Sequence, residues 1–255
     1  MTPKICAAAT PRFEAVDALR GVAMLWMTFF HFSFDLNQFG YISQDFYHAP
    51  LWTWQRTLIV SLFLFCAGIG QAIALQQGQS WSRFWRRWSQ IVGCALLVTA
   101  SSWWMYPQSF IYFGVLHGMA VLLIIVRLTA HWAGRLWVLG AIAIAAKFAA
   151  ALAIGSLAPA PITDALNSPA LNWLGLITRL PVTEDYVPLL PWLGLIWWGA
   201  AAGHWLTGGG VLQLTRALPA ALRPLAVIGR WSLSYYMLHQ PVMIGVLMAL
   251  AWSSK

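Results

Sequence analysis

Apolar runs long enough to cross a bilayer recur along almost the whole chain, divided by short polar segments. A hydrocarbon layer about 30 Å thick needs roughly 20 helical residues. Seven stretches reach that length, near 15–37, 52–76, 84–105, 109–128, 135–157, 187–207 and 228–252. The pattern predicts an all-α polytopic membrane helix bundle of about seven transmembrane helices, one domain over residues 1–255. Two connecting segments are longer. Residues 38–51 (QFGYISQDFYHAPL) predict a short re-entrant or interfacial helix carrying His48. Residues 158–187, broken by Pro159, Pro161, Pro169 and Pro181, predict a loop with one short interfacial helix around 170–178.

Polar positions inside the first apolar run fall on one stripe. At about 100° per residue, the eleven steps from Arg20 to His31 make three turns plus roughly 20°, and the rise sets His31 roughly 16 Å further along the axis. Asp17, Met24, Met27 and Asp35 lie near the same stripe. Ionisable residues inside a span face the bundle interior and mark function, or snorkel and bond to a neighbouring helix.

Composition agrees with a membrane protein. The chain is 60% hydrophobic and 9% charged, with a mean hydropathy of +0.67, outside the soluble range. Its 17 Trp suit interfacial aromatic belts. A net charge of +8 would suggest nucleic acid in a soluble protein; here its distribution reports topology. With the N-terminus cytoplasmic, the inner segments hold Lys4, Arg12, Arg20, Arg83, Arg86, Arg87, Arg127, Arg135, Arg216, Arg223 and Arg230, against Arg56, Arg179 and Lys255 outside. That bias predicts the N-terminus inside and the C-terminus outside. Glu14, Asp17 and Arg20 precede the first apolar run, unlike a cleavable signal peptide. Cys6, Cys66 and Cys94 lack metal or redox spacing and read as small core residues, and no metal site or haem, nucleotide or dinucleotide motif is expected.

Candidate chemistry gathers at both ends of the bundle. Residues 76–88 (QQGQSWSRFWRRW) concentrate Arg83, Arg86 and Arg87 among three Trp. Such a loop anchors to lipid headgroups, or receives a phosphorylated ligand through bidentate Arg–phosphate pairs. His31, His117 and His239 sit at outer-to-middle depth on three helices, with His117 expected roughly eight residues, about 12 Å, into the fourth span. Neutral imidazole can take a proton from an alcohol or ammonium, as acyl transfer requires. Lys147, midway along the fifth span, should meet an acid such as Asp35 or line water. Asp35, Asp45, Asp164, Glu184 and Asp185 all fall outside, an acidic vestibule suited to a polar, amine-bearing acceptor. Gly199 and Gly203 form a small-xxx-small pattern, compatible with close packing within the bundle or a homodimer contact.

These residues resemble a family. The run RFEAVDALRGVAMLWMTFFHFSFDL looks like the opening of the bacterial relatives of heparan-α-glucosaminide N-acetyltransferase, in a superfamily that includes acyltransferase family 3. Asp17-Ala-Leu-Arg20-Gly21 followed by His31 is similar to the Arg-x10-His pattern of the latter. His48-Ala-Pro-Leu-Trp52 leading into FLFCAGIG resembles the loop His and second helix of the heparan enzyme. Phe113-Gly-Val-Leu-His117, the run from Asp185 to Trp192 and the closing SLSYYMLH continue the likeness in order. The resemblance implies a transferase that moves an acetyl group from cytoplasmic acetyl-CoA to an amine or hydroxyl of a glycan-like, cell-envelope acceptor beyond a bacterial inner membrane. It implies His31 or His48 as base or acyl carrier, with Asp17 and Arg20 in the catalytic set. Arg20, Arg83, Arg86, Arg87 and His117 are expected to hold acetyl-CoA, and Asp35, Asp185 and His239 the acceptor. The chain departs from the pattern in having His31 where the heparan enzyme has Asn, and in having fewer spans. Competing readings are a proton-coupled transporter relaying through His, Lys147 and Asp35, a bis-His cytochrome, and a structural subunit.

Overall fold

A computed structural model describes residues 13–208 and 218–253. Lys4, Cys6, Arg12, Arg216 and Lys255, used above for charge and cysteine counting, lie outside the described residues. The helices are α1 (Glu14–Gln38), α2 (Pro50–Gln76), α3 (Trp81–Met105), α4 (Val115–Thr129), α5 (Arg135–Leu157), α6 (Ala160–Asn167), α7 (Trp192–Gly208), α8 (Arg223–Arg230) and α9 (Ser232–Ser253). Helices overlap the seven stretches expected to span, and only part of them qualify by length and hydropathy. Four segments, Pro50–Gln76, Val115–Trp132, Arg135–Leu157 and Ser232–Ser253, are long and apolar enough to cross a membrane. In α1 and α3 polar positions dilute the apolar run, and the described part of α7 has 17 residues.

Local chemistry sets the boundaries. Pro50 opens α2 at a position whose N–H would be unpaired anyway. Gly78, with φ +68°, reverses the chain after α2. Ser80 then caps α3, accepting the Arg83 N–H at 3.3 Å. Several expectations shift. The fourth helix starts at Val115 rather than 109, so His117 lies in its first turn instead of two turns deep. The last expected span, 228–252, is divided between α8, ending at Arg230, and α9, starting at Ser232. Residues 39–49 hold turns and no helix, because Asp45 Oδ1 accepts the N–H groups of Tyr47 (3.0 Å) and His48 (2.9 Å). The short helix expected within 158–187 comes early, as Ala160–Asn167 behind Pro159, and only a 3-10 turn covers Asn172–Leu174.

Helices α2 and α7 form the central pair, flanked by α5 on α7, by α4, and by α1 on α2. Leu64, Leu122, Val126, Leu136, Ile196 and Ala200 are fully buried between them. Close approach explains the small residues: a Cβ on Gly199 would lie 2.8 Å from the Phe65 carbonyl carbon, and one on Gly68 2.7 Å from Ala200 N. Gly203 packs on Ala72 and Ile69, so the Gly199/Gly203 pattern serves packing within the bundle. Indole donors tie helices together: Trp88 Nε1 donates to Ala120 O (2.9 Å), Trp197 Nε1 to Thr129 Oγ1 (2.9 Å) and Trp198 Nε1 to Trp137 O (2.9 Å). A second cluster, Met24, Met27, Phe30, Phe46 and Ile59, closes the other end of α1 and α2. Phe46 stacks on Trp52 with centroids 4.1 Å apart and meets Phe30 edge-on at 5.8 Å, which fastens the 39–49 segment over the bundle. Along α5 and α9 large apolar side chains such as Ile142, Phe148, Leu152, Val242, Val246 and Leu250 point outward, as lipid-facing helices require.

Candidate functional site

Helix α1 joins two polar regions. At its N-terminal end Asp17 and Arg20, one turn apart, form an ion pair at 3.2 Å. The same Arg20 Nη1 donates to Gly229 O of α8 at 3.4 Å. Both side chains border a cavity of about 1570 Å³ between α1, α2, α3, α4 and the start of α9. Arg83, Arg86 and Arg87 from the first turns of α3 and Arg230 from α8 also line it. Five arginines thus line the cavity, together with Gln71, Gln77, Gln79 and Gln90. Further in, the walls become apolar at Phe63, Leu97, Leu116, Met119 and Tyr236. A basic mouth on an apolar shaft fits a long ligand with a polyanionic head and a thin, weakly polar tail.

The other end of α1 carries His31 and Asp35, one turn apart. The His31 ring lies 5.3 Å from that of His239 on α9 and edge-on to Phe30 at 5.7 Å. His239 Nδ1 is 2.7 Å from Tyr236 O, so that nitrogen carries the proton and donates. Its Nε2 is buried without a partner. Asp35 is 4% exposed; the neighbouring Gln240 side chain bonds to it, while its Oδ2 has no partner. The α1–α9 contact is held by the Thr28 and Tyr235 hydroxyls, 2.8 Å apart.

At this end of the bundle the connecting segments supply more polar groups. Glu184 accepts from Ser109 Oγ (2.6 Å) and Tyr47 OH (3.3 Å). Asp185 Oδ2 accepts the Val115 N–H at 2.7 Å and so caps α4. Burial pushes the Asp185 carboxyl above the ordinary range, against the opposing effects of that N–H and of Arg56. His48 stands on its turn, its side chain 86% exposed, with Nδ1 3.1 Å from Asp45 Oδ2. The His48 backbone N–H is the main influence holding the Asp45 carboxyl below the ordinary range.

The expected site residues therefore separate into groups. Asp17, Arg20, Arg83, Arg86 and Arg87 share the cavity. His31, Asp35 and His239 gather at the opposite end of α1. His48 stands apart from them, with no hydrogen bond or ring contact to His31 among the described residues. His117 lies outside the cavity lining and has both nitrogens engaged: Nδ1 accepts the Gly114 N–H (3.3 Å) and Nε2 meets Thr99 Oγ1 (3.0 Å). Lys147 lies over the Phe148 ring at 5.2 Å, and no ion pair joins it to Asp35 among the described residues. No group of three or more His, Cys, Asp or Glu able to hold a metal occurs among the described residues. Arg230, Tyr236 and Gln240 were missed as site residues. Arg230 entered only as a topological charge, whereas Gln240 beside His239 was a visible polar pair within an apolar run.

No curated protein and no solved structure gives a significant match. The family described as heparan-alpha-glucosaminide N-acetyltransferase, catalytic, matches residues 12–241, nearly the whole chain and both polar ends of α1, and the protein belongs to that family of transmembrane acetyltransferases.

Proposed function

We propose that the protein transfers the acetyl group of cytoplasmic acetyl-CoA to an amine or hydroxyl of a glycan-like acceptor on the far side of a bacterial inner membrane. The observation that carries this reading is the cavity with Arg20, Arg83, Arg86, Arg87 and Arg230 at its mouth and an apolar shaft behind. Arginine suits the phosphates of CoA because its planar donors pair bidentately. The shaft suits the pantetheine arm and brings the thioester towards Tyr236, next to the His31–His239 end of α1. The N-terminus lies inside and the C-terminus outside, in keeping with the charge bias. Asp35, Asp185 and the outer loops face the acceptor. His31 and His48 are the two bases the family resemblance supplies. Backbone and side-chain donors stabilise the thioester oxyanion.

The test is acetyl-CoA binding to the detergent-purified chain by calorimetry, with CoA alongside. Replacing Arg83, Arg86 and Arg87 by Gln removes three charge-assisted contacts of about 1.5–3 kcal/mol each and should raise Kd at least about 100-fold. Unchanged affinity in the triple variant, or no heat from the wild type at millimolar ligand, refutes the donor site.

A further inference from the structure

We infer that Arg127, in the last turn of α4, is a positioning residue of the donor site: it fixes the turn between α2 and α3 and so sets where Arg83, Arg86 and Arg87 stand. The inference rests on the donor-binding half of the transferase reading above and involves no step of the chemistry.

Arg127 is 6% exposed, and no carboxylate pairs with it among the described residues. A guanidinium taken out of water without a counter-ion is costly. Two contacts offset that cost. Its Nη2 donates to the carbonyl oxygen of Gln79, in the turn between α2 and α3. Its planar group lies 5.0 Å from the centroid of the Trp81 ring and 5.6 Å from that of Phe84, both in the first turn of α3. Nε and Nη1 have no hydrogen-bond partner. Every hydrogen bond and ring contact of this side chain among the described residues therefore goes to positions 79, 81 and 84.

The turn's own bonds are local. Gly78 takes φ +68°, Gln79 N donates back to Ala74 O at 2.9 Å, and Ser80 caps α3. These shape the turn without tying it to the rest of the bundle. Arg127 supplies that tie from a position 48 residues away. Trp88 Nε1, bonded to Ala120 O, makes a second tie two turns further along α3. Between them the start of the helix is held to α4 in both height and rotation.

Helical geometry carries the effect to the cavity. At about 100° per residue, Trp81, Phe84 and Trp88 fall on one face of α3, and Arg83, Arg86 and Arg87 on the opposite face. A guanidinium locked against the aromatic face therefore sets the direction of the basic one. Arg83, Arg86 and Arg87 line the cavity and Arg127 does not, so Arg127 acts on a bound polyanion through them. Without it the three guanidinium groups lose their common aim, and bidentate pairing with phosphate needs that aim.

The test is a double-mutant cycle on the full detergent-purified chain, with acetyl-CoA as titrant in calorimetry. Arg127→Met keeps an unbranched side chain and removes the charge and the donors. Arg127→Lys keeps the charge and a donor for Gln79 O but loses the planar face, and it serves where the Met variant fails to fold. Arg127→Met should raise Kd about tenfold and Arg127→Lys about threefold. With Arg83→Gln, Arg86→Gln and Arg87→Gln already in place, either change should cost less than about twofold, because the groups it positions are gone. A residue that merely stabilised the fold would cost the same factor in both backgrounds. Amide hydrogen exchange without ligand gives a second readout: either Arg127 variant should speed exchange over residues 79–87 and leave α1 at wild-type rates. The inference is overturned if every folded Arg127 variant binds acetyl-CoA within about twofold of wild type, or if the loss is equal in the two backgrounds. A wild-type chain that gives no heat with acetyl-CoA sinks the donor site itself and this assignment with it, a result told apart from the others because no Arg127 variant enters it.

Discussion

Replacing Gly229 by Ala tests the architecture of the basic cavity at its tightest point. Helix α8 crosses α1 so closely that a Cβ on Gly229 would lie 2.8 Å from both the Asp17 carbonyl carbon and Gly21 N, and closer still to the Asp17 carbonyl oxygen. Gly21 is the reciprocal partner, its Cβ position 2.7 Å from the Leu225 carbonyl carbon. These neighbours are backbone atoms, which no rotamer change can remove. The added methyl must therefore push α8 away from α1. Overpacking of this kind costs about 3 kcal/mol at the upper end of its range. The better helix propensity of Ala returns about 1 kcal/mol. A net loss of about 2 kcal/mol lowers the melting midpoint by about 4–8 °C in a chain of this size. The displacement also reaches the cavity, because Arg20 bonds to Gly229 O and Arg230, Trp231 and Ser232 line one wall. Losing the order of one charged hydrogen bond, about 1.5 kcal/mol, raises the acetyl-CoA Kd about tenfold. Gly93→Ala is the control: Gly93 lines the same cavity, and its Cβ would meet nothing within 4 Å. Melting by intrinsic Trp fluorescence and calorimetric binding read both effects. A Gly229→Ala chain melting within about 1 °C of wild type, or a Gly93→Ala chain equally damaged, refutes the packing account.

Cys94 lines the cavity whereas Cys66 is fully buried, so in a Cys6→Ser background maleimide should label Cys94 and acetyl-CoA should slow that labelling; equal rates with and without ligand would count against occupancy. Asp185 gives a pH signature. Its folded-state pKa is raised above 3.8, so the folded chain holds the proton longer than the unfolded one. Stability should be flat below about 3.8 and fall as pH rises from there through the folded value. Asp185→Asn keeps an oxygen for the Val115 N–H and should flatten that slope in thermal melts, while an unchanged slope would assign the effect to another group.

How much of this was legible in the sequence depended on the range of each interaction. The helices were readable because a long apolar run has one structural solution in lipid. The Arg20–His31 stripe was readable because helical geometry alone relates residues eleven apart. The basic loop announced the cavity mouth, since Arg83, Arg86 and Arg87 lie within two turns of one helix. The hidden parts are tertiary. Only the crossing of α1 by α9 brings His31 against His239, two residues more than two hundred positions apart. His117 looked like intramembrane chemistry, yet Thr99 and Gly114 engage both its nitrogens, a contact set by where α4 begins. That start depends on Asp185, from a loop seventy residues later. The His48 segment differs from the short helix expected there for a local reason: the Asp45 carboxylate takes the N–H groups of Tyr47 and His48.

On the proposed transferase reading the two ends of α1 pose one physical problem, which is how a thioester whose head rests on the arginines would reach the His31 end roughly three helical turns away. The charged head cannot enter the apolar layer without losing its Arg partners, so the ligand must span the distance with the head fixed. Along α1 that layer is Met24 and Met27, 1% and 6% exposed. Tyr236, which lines the cavity, packs against the same cluster. Methionine is unbranched and repacks through its own rotamers, so the layer can open for a narrow arm without displacing the helices. A rigid layer of β-branched residues would seal the membrane equally well and would oblige the helices themselves to move. The position of Tyr236 then carries the consequence furthest: the residue lines the cavity while its carbonyl orients His239. An acyl group that passes this layer therefore arrives beside His31 and His239, whose rings lie 5.3 Å apart, without the helices having separated.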